Sequence, residues 1–186
     1  DKWLCIWDSE THTLLRKHRL DASGCCVVYD PSGADICVGL GPAPGKKKGA
    51  LKAFLQLDGA FQVLNEKTFV VKHTGRDTRS RLTVTRYTPD LSTLAIGCED
   101  RRIYVYDVNN SYELLKKLMI VEGVPKTIDF SDDSKYLRTA TLDETELVYA
   151  DLETGKMIER PIILRETLWA THTCPYRWQT SGMWPA

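Results

Sequence analysis

Leu82-Thr-Val-Thr-Arg-Tyr87, Thr88-Pro-Asp-Leu-Ser92, Leu94-Ala-Ile-Gly-Cys98, Glu99-Asp-Arg101 and Ile103-Tyr-Val-Tyr-Asp107 follow one another in the middle of the chain. The first run alternates apolar and polar residues, the period-two pattern of a half-buried strand. The second carries turn chemistry: proline presets a backbone angle, and Asp90 and Ser92 can bond the local backbone. Residues 94–98 make a second short strand, 99–101 a tight turn, and 103–106 a third strand rich in β-formers. Asp107 closes it, and Tyr112-Glu-Leu-Leu-Lys-Lys-Leu118 supplies a fourth. The stretch predicts a meander of short antiparallel strands.

Two other stretches restate it. Val27-Val-Tyr29, Asp30-Pro-Ser-Gly33 and Ile36-Cys-Val-Gly39 are strand, turn and strand. So are Thr127-Ile-Asp-Phe130, Ser131-Asp-Asp-Ser134 and Tyr136-Leu-Arg-Thr-Ala140. In each unit an aromatic precedes a small residue by 10 positions: Tyr29 and Gly39, Tyr87 and Gly97, Phe130 and Ala140. Each unit then closes on an acid or amide, at Asn65, Asp107 and Asp151, with intervals of 42 and 44 residues. That is the period of a WD-type β-propeller blade, about 40–45 residues. The chain opens on the end of such a unit, with the Trp7-Asp8 pair, and an aspartate lies six residues before Trp7 and before Tyr106.

The expected fold is all-β: a partial WD-repeat β-propeller of about three full four-stranded blades, with incomplete blades at both ends. A β-sandwich of short strands is the competing reading, and three units in register favour the propeller. The segments expected are 1–8, the last strand of a preceding blade; 9–65, 66–107 and 108–151, three blades; and 152–186, the start of another. Three blades cannot close a ring of four to eight, so the remainder of its own propeller is an expected partner, and the sequence reads as a piece of something larger. The interval from Asp8 to Asn65 is 57 residues, and the excess falls in an inserted loop at 42–57. Its Gly/Pro start reads as loop, while 51–57 fits a short helix or an added strand.

The totals exclude several classes. Lys plus Arg and Asp plus Glu both number 25, so no bulk field points to nucleic acid or a membrane. No apolar run reaches the ~18–20 residues that span a bilayer, and the start carries no signal-peptide pattern. The six cysteines form no C-x-x-C pair and the four histidines do not cluster, so no metal or cofactor is expected. Most cysteines lie in strand-like runs, as reduced core residues of a cytosolic protein would. The paired acids Glu99-Asp100 and Asp132-Asp133 sit at predicted turns, and Gly39-Leu-Gly41 lacks the helix and lysine of a phosphate loop. No catalytic group is assigned.

The end of the chain is less generic. Leu168-Trp-Ala-Thr-His-Thr-Cys174, Trp178 and Ser181-Gly-Met-Trp-Pro185 resemble the segment Trp-Ala-Thr-aromatic-Thr-Cys … Gly-φ-Trp-Pro of echinoderm-microtubule-associated-protein-like (EMAP-like) proteins, where it lies in the second of two tandem atypical propellers. Residues 59–106 agree with that family as well, so the resemblance covers 59–186. The insertion at 42–57 and the missing aromatic before Asp151 depart from it, and 1–40 match only as generic repeats.

The resemblance implies a non-catalytic scaffold that binds tubulin or microtubule-associated proteins, in the cytoplasm and cytoskeleton, the axoneme of cilia or flagella included. A scaffold in a signalling or ubiquitin-ligase assembly is the alternative. Because tubulin surfaces are acidic, the candidate binding residues are cationic: Lys46-Lys47-Lys48 in the inserted loop, Arg76, Arg79 and Arg81 in the connection after His73, and Arg101-Arg102 at a turn. Trp3 and Trp7 share one strand face and are expected to pack between blades. Trp169, Trp178 and Trp184 are expected mainly in core packing, with an aromatic contact surface as the other reading.

Overall fold

The computed structural model describes residues 2–41, 58–120, 123–142 and 147–175. Among them the chain forms four antiparallel sheets, each a meander in chain order. The first pairs β1 (Trp3–Trp7) with β2 (Leu14–Arg19); the second runs β3 (Ser23–Tyr29), β4 (Asp35–Gly41), β5 (Ala60–Asn65), β6 (Val71–Arg76). The third runs β7 (Leu82–Tyr87), β8 (Thr93–Cys98), β9 (Arg102–Asp107), β10 (Glu113–Met119), and the fourth β11 (Asp129–Phe130), β12 (Tyr136–Ala140), β13 (Leu147–Asp151). The fold is a run of β-propeller blades, as the repeat predicts. A sheet is offset from the acid-to-acid repeat by one strand, because the fourth strand lies beyond the acid or amide that closes the third.

Each sheet in the middle of the run buries two faces because another sheet stands on each side. Leu4 and Ile6 pack against Leu20, Ile36, Val38, Leu40 and Leu64. Cys37, Phe61 and Val63 of the second sheet meet Leu82, Leu94, Ile96, Tyr104 and Tyr106 of the third. Ile103, Val105 and Leu118 meet Phe130, Leu137 and Val148 of the fourth. The middle strands therefore do not alternate: β4, β8 and β9 are buried along almost their whole length, whereas the outermost strands β2 and β6 keep the in–out pattern.

The acids and amides that mark the repeat are backbone acceptors. Asp8 Oδ1 accepts the N–H groups of Glu10 and Thr11 at 2.9 and 2.7 Å. Asn65 does the same for Lys67 and Thr68, Asp107 for Asn109 and Asn110, and Asp151 for Thr154. A short polar side chain here satisfies donors that a tight turn leaves unpaired. Asp107→Ala is expected to lower stability by about 1 kcal/mol, and Asp107→Asn, which keeps the acceptor, by much less; urea unfolding of the two variants measures the difference. The turns after Tyr29, Tyr87 and Phe130 also share a geometry. Gly33, Leu91 and Ser134, four residues on in each unit, all have positive φ (73°, 61° and 58°).

The aromatic-to-small spacing has a packing cause. Gly39 lies opposite Cys26 and Gly97 opposite Val84, each beside a register shift in the first strand of its sheet. A methyl on Gly39 would come within 2.4 Å of Cys26 Sγ and 3.2 Å of Leu82 in the next sheet. One on Gly97 would meet Val84 at 2.7 Å and the Pro125 ring at 3.0 Å. The small residue leaves room for both the facing side chain of its own sheet and the neighbouring blade.

Candidate partner-binding face and the buried clasp

Strand direction sorts the connections into two faces. The β1–β2, β3–β4, β5–β6, β7–β8, β9–β10 and β11–β12 turns lie at one end of the strands. The β2–β3, β4–β5, β6–β7, β8–β9, β10–β11 and β12–β13 connections lie at the other. Arg76 ends β6, Arg79 and Arg81 lie in the β6–β7 connection, Arg101 sits at φ 62° in the β8–β9 turn, and Arg102 opens β9. All are therefore on the second face. Glu99 donates its N–H to the Arg81 carbonyl at 2.9 Å, and the Thr78 hydroxyl donates to Asp100 Oδ2 at 3.1 Å, which joins the two groups directly. Lys46, Lys47 and Lys48 lie outside the described residues; the chain enters and leaves their connection at Gly41, next to Arg81, and Gly59, next to Thr78 and Ser80.

Acids share this face. Arg102 lies 3.8 Å from Asp100 and Arg81 4.0 Å from Glu99, while Arg79 and Arg101 are exposed. Such pairs are worth at most about 1 kcal/mol each, and they leave the cations open to a partner. Asp100 is a turn residue: it accepts the Arg102 N–H at 3.1 Å and the Tyr104 hydroxyl at 2.6 Å. Asp133 likewise accepts the Ser131 hydroxyl and the Lys135 N–H. Both sequence-paired acids thus have structural partners.

Trp3 and Trp7 share a face of β1, the one opposite the second sheet. They are 45% and 59% exposed, and the core is entered instead by Leu4 and Ile6. No second sheet stands on that side among the described residues, and the Lys17 ammonium covers the Trp3 ring at 4.2 Å. Trp169 is buried, with Trp178 and Trp184 outside the described residues. All six cysteines are free thiols, and burial pushes those of Cys37 and Cys174 up to about 12. Among the described residues no metal-binding group of His, Cys, Asp and Glu occurs, and no helix is long and apolar enough to cross a membrane.

The most organised polar site was not among the sequence candidates. Asp129 in β11 faces Arg138 in β12, and both are almost wholly buried. Arg138 donates through Nε to Asp129 Oδ2 at 3.1 Å, and its Nη2 lies 3.1 Å from the same oxygen. The other partners come from 168–174. Thr171 and Thr173 hydroxyls donate to Asp129 Oδ1 at 2.6 and 2.8 Å, and the N–H groups of Thr173 and Cys174 donate to its two oxygens at 2.9 and 3.0 Å. Arg138 also donates to the Thr171 carbonyl and lies 3.2 Å from His172 Nδ1, with its guanidinium stacked 4.3 Å over Trp169. The Ala170 N–H donates to the Phe130 carbonyl and Trp169 bridges Ser131, so the segment is held antiparallel against the end of β11. Burial alone would raise the Asp129 carboxyl; the four hydrogen bonds from Thr171, Thr173 and Cys174 outweigh it and hold it at about 2. The Trp-Ala-Thr-His-Thr-Cys stretch is a clasp on the fourth sheet.

Stacked antiparallel meanders, with a bridged segment clasped to the last of them, define a partial β-propeller. The chain matches, over residues 1–186, the family described as the echinoderm microtubule-associated protein second beta-propeller, and it belongs to that family. It is 31% identical over 189 residues to echinoderm microtubule-associated protein-like 3 of Mus musculus, covering all of this chain and 19% of the relative. Identity is 29% to the like-4 protein of Xenopus tropicalis and 28% to the like-2 protein of Rattus norvegicus, with all of this chain and 18% and 26% of those relatives covered. The chain thus spans about a fifth to a quarter of the length of these relatives.

Proposed function

We propose that this chain forms part of a non-catalytic propeller that binds microtubules, through tubulin or through associated cytoskeletal proteins, in the cytoplasm, cytoskeleton and ciliary or flagellar axoneme. One observation carries the reading: Arg76, Arg79, Arg101 and Arg102, predicted separately, lie on one face, and the connection that contains Lys46, Lys47 and Lys48 starts and ends on it. Family membership supports the cytoskeletal partner, since the relatives are named microtubule-associated. An acidic partner surface is the chemistry this face fits, and exposed cations at such an interface act chiefly on encounter rate and orientation.

Co-sedimentation of the full-length protein with microtubules tests it. The wild type is expected in the pellet at low salt, with less at high salt. Arg79→Glu with Arg101→Glu, or all three of Lys46, Lys47 and Lys48 changed to Glu, is expected to weaken binding by about fivefold for each exposed ion pair removed. No enrichment in the pellet at low salt would sink the proposal and favour a signalling or ubiquitin-ligase scaffold.

A further inference from the structure

The turn chemistry that builds the blades has an electrostatic by-product. Each tight turn on the first face uses a short acceptor side chain to satisfy backbone N–H groups, and most of those acceptors are aspartates. Counted over the connections on that face, the 152–156 turn after β13 and the strand ends Asp35, Asp107, Glu113 and Asp151, there are twelve carboxylates against three lysines, Lys67, Lys135 and Lys156. The chain as a whole is neutral. The balancing cations lie elsewhere. The connections of the opposite face have seven cations against six acids among the described residues, the strand ends Arg19, Arg76, Arg102 and Asp129 included. The outermost strands β2, β6 and β10 add Arg16, Lys17, Lys72, Lys116 and Lys117 along the rim.

We propose that this charge polarity makes docking one-sided: an acidic partner surface is taken by the β6–β7/β8–β9 face and the adjoining rim, while the turn face is held off it. The inference rests on the acidic-partner reading above and adds the orientation. Several features of the structure set the strength of the effect. Arg16 is paired with Glu66 and Lys72 with Asp35, at 2.5 Å each, so the rim cations nearest the turn face are partly neutralised by it. Lys116 donates to the carbonyls of Leu152 and Glu153. The exposed rim cations that remain face away from the turns: Lys17 lies over Trp3 and Lys117 over Tyr104 at 5.3 Å. A face with twelve carboxylates against three lysines, still strongly negative with Glu66 and Asp35 paired to rim cations, and another that is slightly positive among its described residues produce potentials of opposite sign. A partner feels them within a Debye length, about 8–10 Å at physiological salt.

A microtubule-independent probe tests the polarity apart from the function. The full-length protein is mixed with a decaglutamate peptide, joined to it by a carbodiimide that condenses a peptide carboxylate with a lysine amine to an amide, and mapped by mass spectrometry. Lys67 and Lys135 on the turn face and Lys117 and Lys126 away from it are all exposed. At low salt, labelling of Lys117 and Lys126 is expected to exceed that of Lys67 and Lys135 by about tenfold, and the ratio to fall toward one in concentrated salt. Equal labelling of the two sets at low salt overturns the inference, even if microtubules are bound. The expected pattern with no microtubule binding sustains the polarity and sinks the functional reading alone.

Discussion

Changing Asp129 to Ala is expected to lower stability by about 3–5 kcal/mol, the usual result of removing one member of a buried ion pair. The loss is large because Asp129 has several partners at once. Without it, Arg138 keeps a buried guanidinium left with the uncharged partners Thr171 carbonyl and His172 Nδ1, and the N–H groups of Thr173 and Cys174 lose their partners. Native-state hydrogen exchange gives the local readout: protection at Ala170, Thr173 and Cys174 is expected to vanish first. Asp129→Leu combined with Arg138→Met removes both charges and is expected to recover much of the loss, since well-packed apolar pairs replace buried ion pairs at little cost. Retained protection in Asp129→Ala would show that β-pairing alone holds the segment. A pH effect follows with a definite sign. The carboxyl is held at about 2 in the folded chain against an ordinary 3.8, so the stabilisation is complete above about pH 4 and disappears as pH falls toward 2. It amounts to about 2 kcal/mol.

Distance along the chain decides which of these features the sequence displays. The turn acids are legible because a turn is local: acceptor and donors lie within three residues, as for Asp8 and Thr11. Asp129 and Arg138 are nine residues apart, and their other partners lie more than thirty residues further on, so neither spacing nor composition brings them together. A signal is present in the alignment of the units. Asp129 falls where the middle unit has Arg86, and Arg138 where it has Ala95. A charge replacing alanine in the centre of an otherwise apolar strand, opposite an acid in the preceding strand, is costly unless paired. The face that gathers Arg76, Arg79, Arg101 and Arg102 is likewise implicit in the meander, since alternate connections of antiparallel strands share an end. The shared face of Trp3 and Trp7 is legible from the period of two, but that Leu4 and Ile6 are the β1 residues meeting the second sheet depends on where that sheet stands.

Gly97→Val is the second large effect expected, about 3 kcal/mol of destabilisation by overpacking. The neighbours explain why relief is hard to find. Val84 is held opposite Gly97 by the β7–β8 ladder, and Pro125 belongs to the next sheet, bridged to Thr141 and with its carbonyl accepting the Thr83 hydroxyl at 2.6 Å. Making room would push two blades apart along a shared core. The third unit contains the same experiment done by the sequence itself. Its small position is Ala140, and there β11 is only two residues long: the Ala140 N–H donates to the Thr127 side-chain hydroxyl at 3.1 Å instead of to a backbone carbonyl. One methyl at this position thus coincides with the end of the regular ladder. Gly97→Ala is accordingly expected to cost about 1 kcal/mol, less than valine, and to weaken exchange protection at the β7 residues nearest it. Urea unfolding of the two variants against the wild type supplies the measurement. An unchanged midpoint for the valine variant would mean that the aromatic-to-small spacing marks a turn register rather than a point of blade contact.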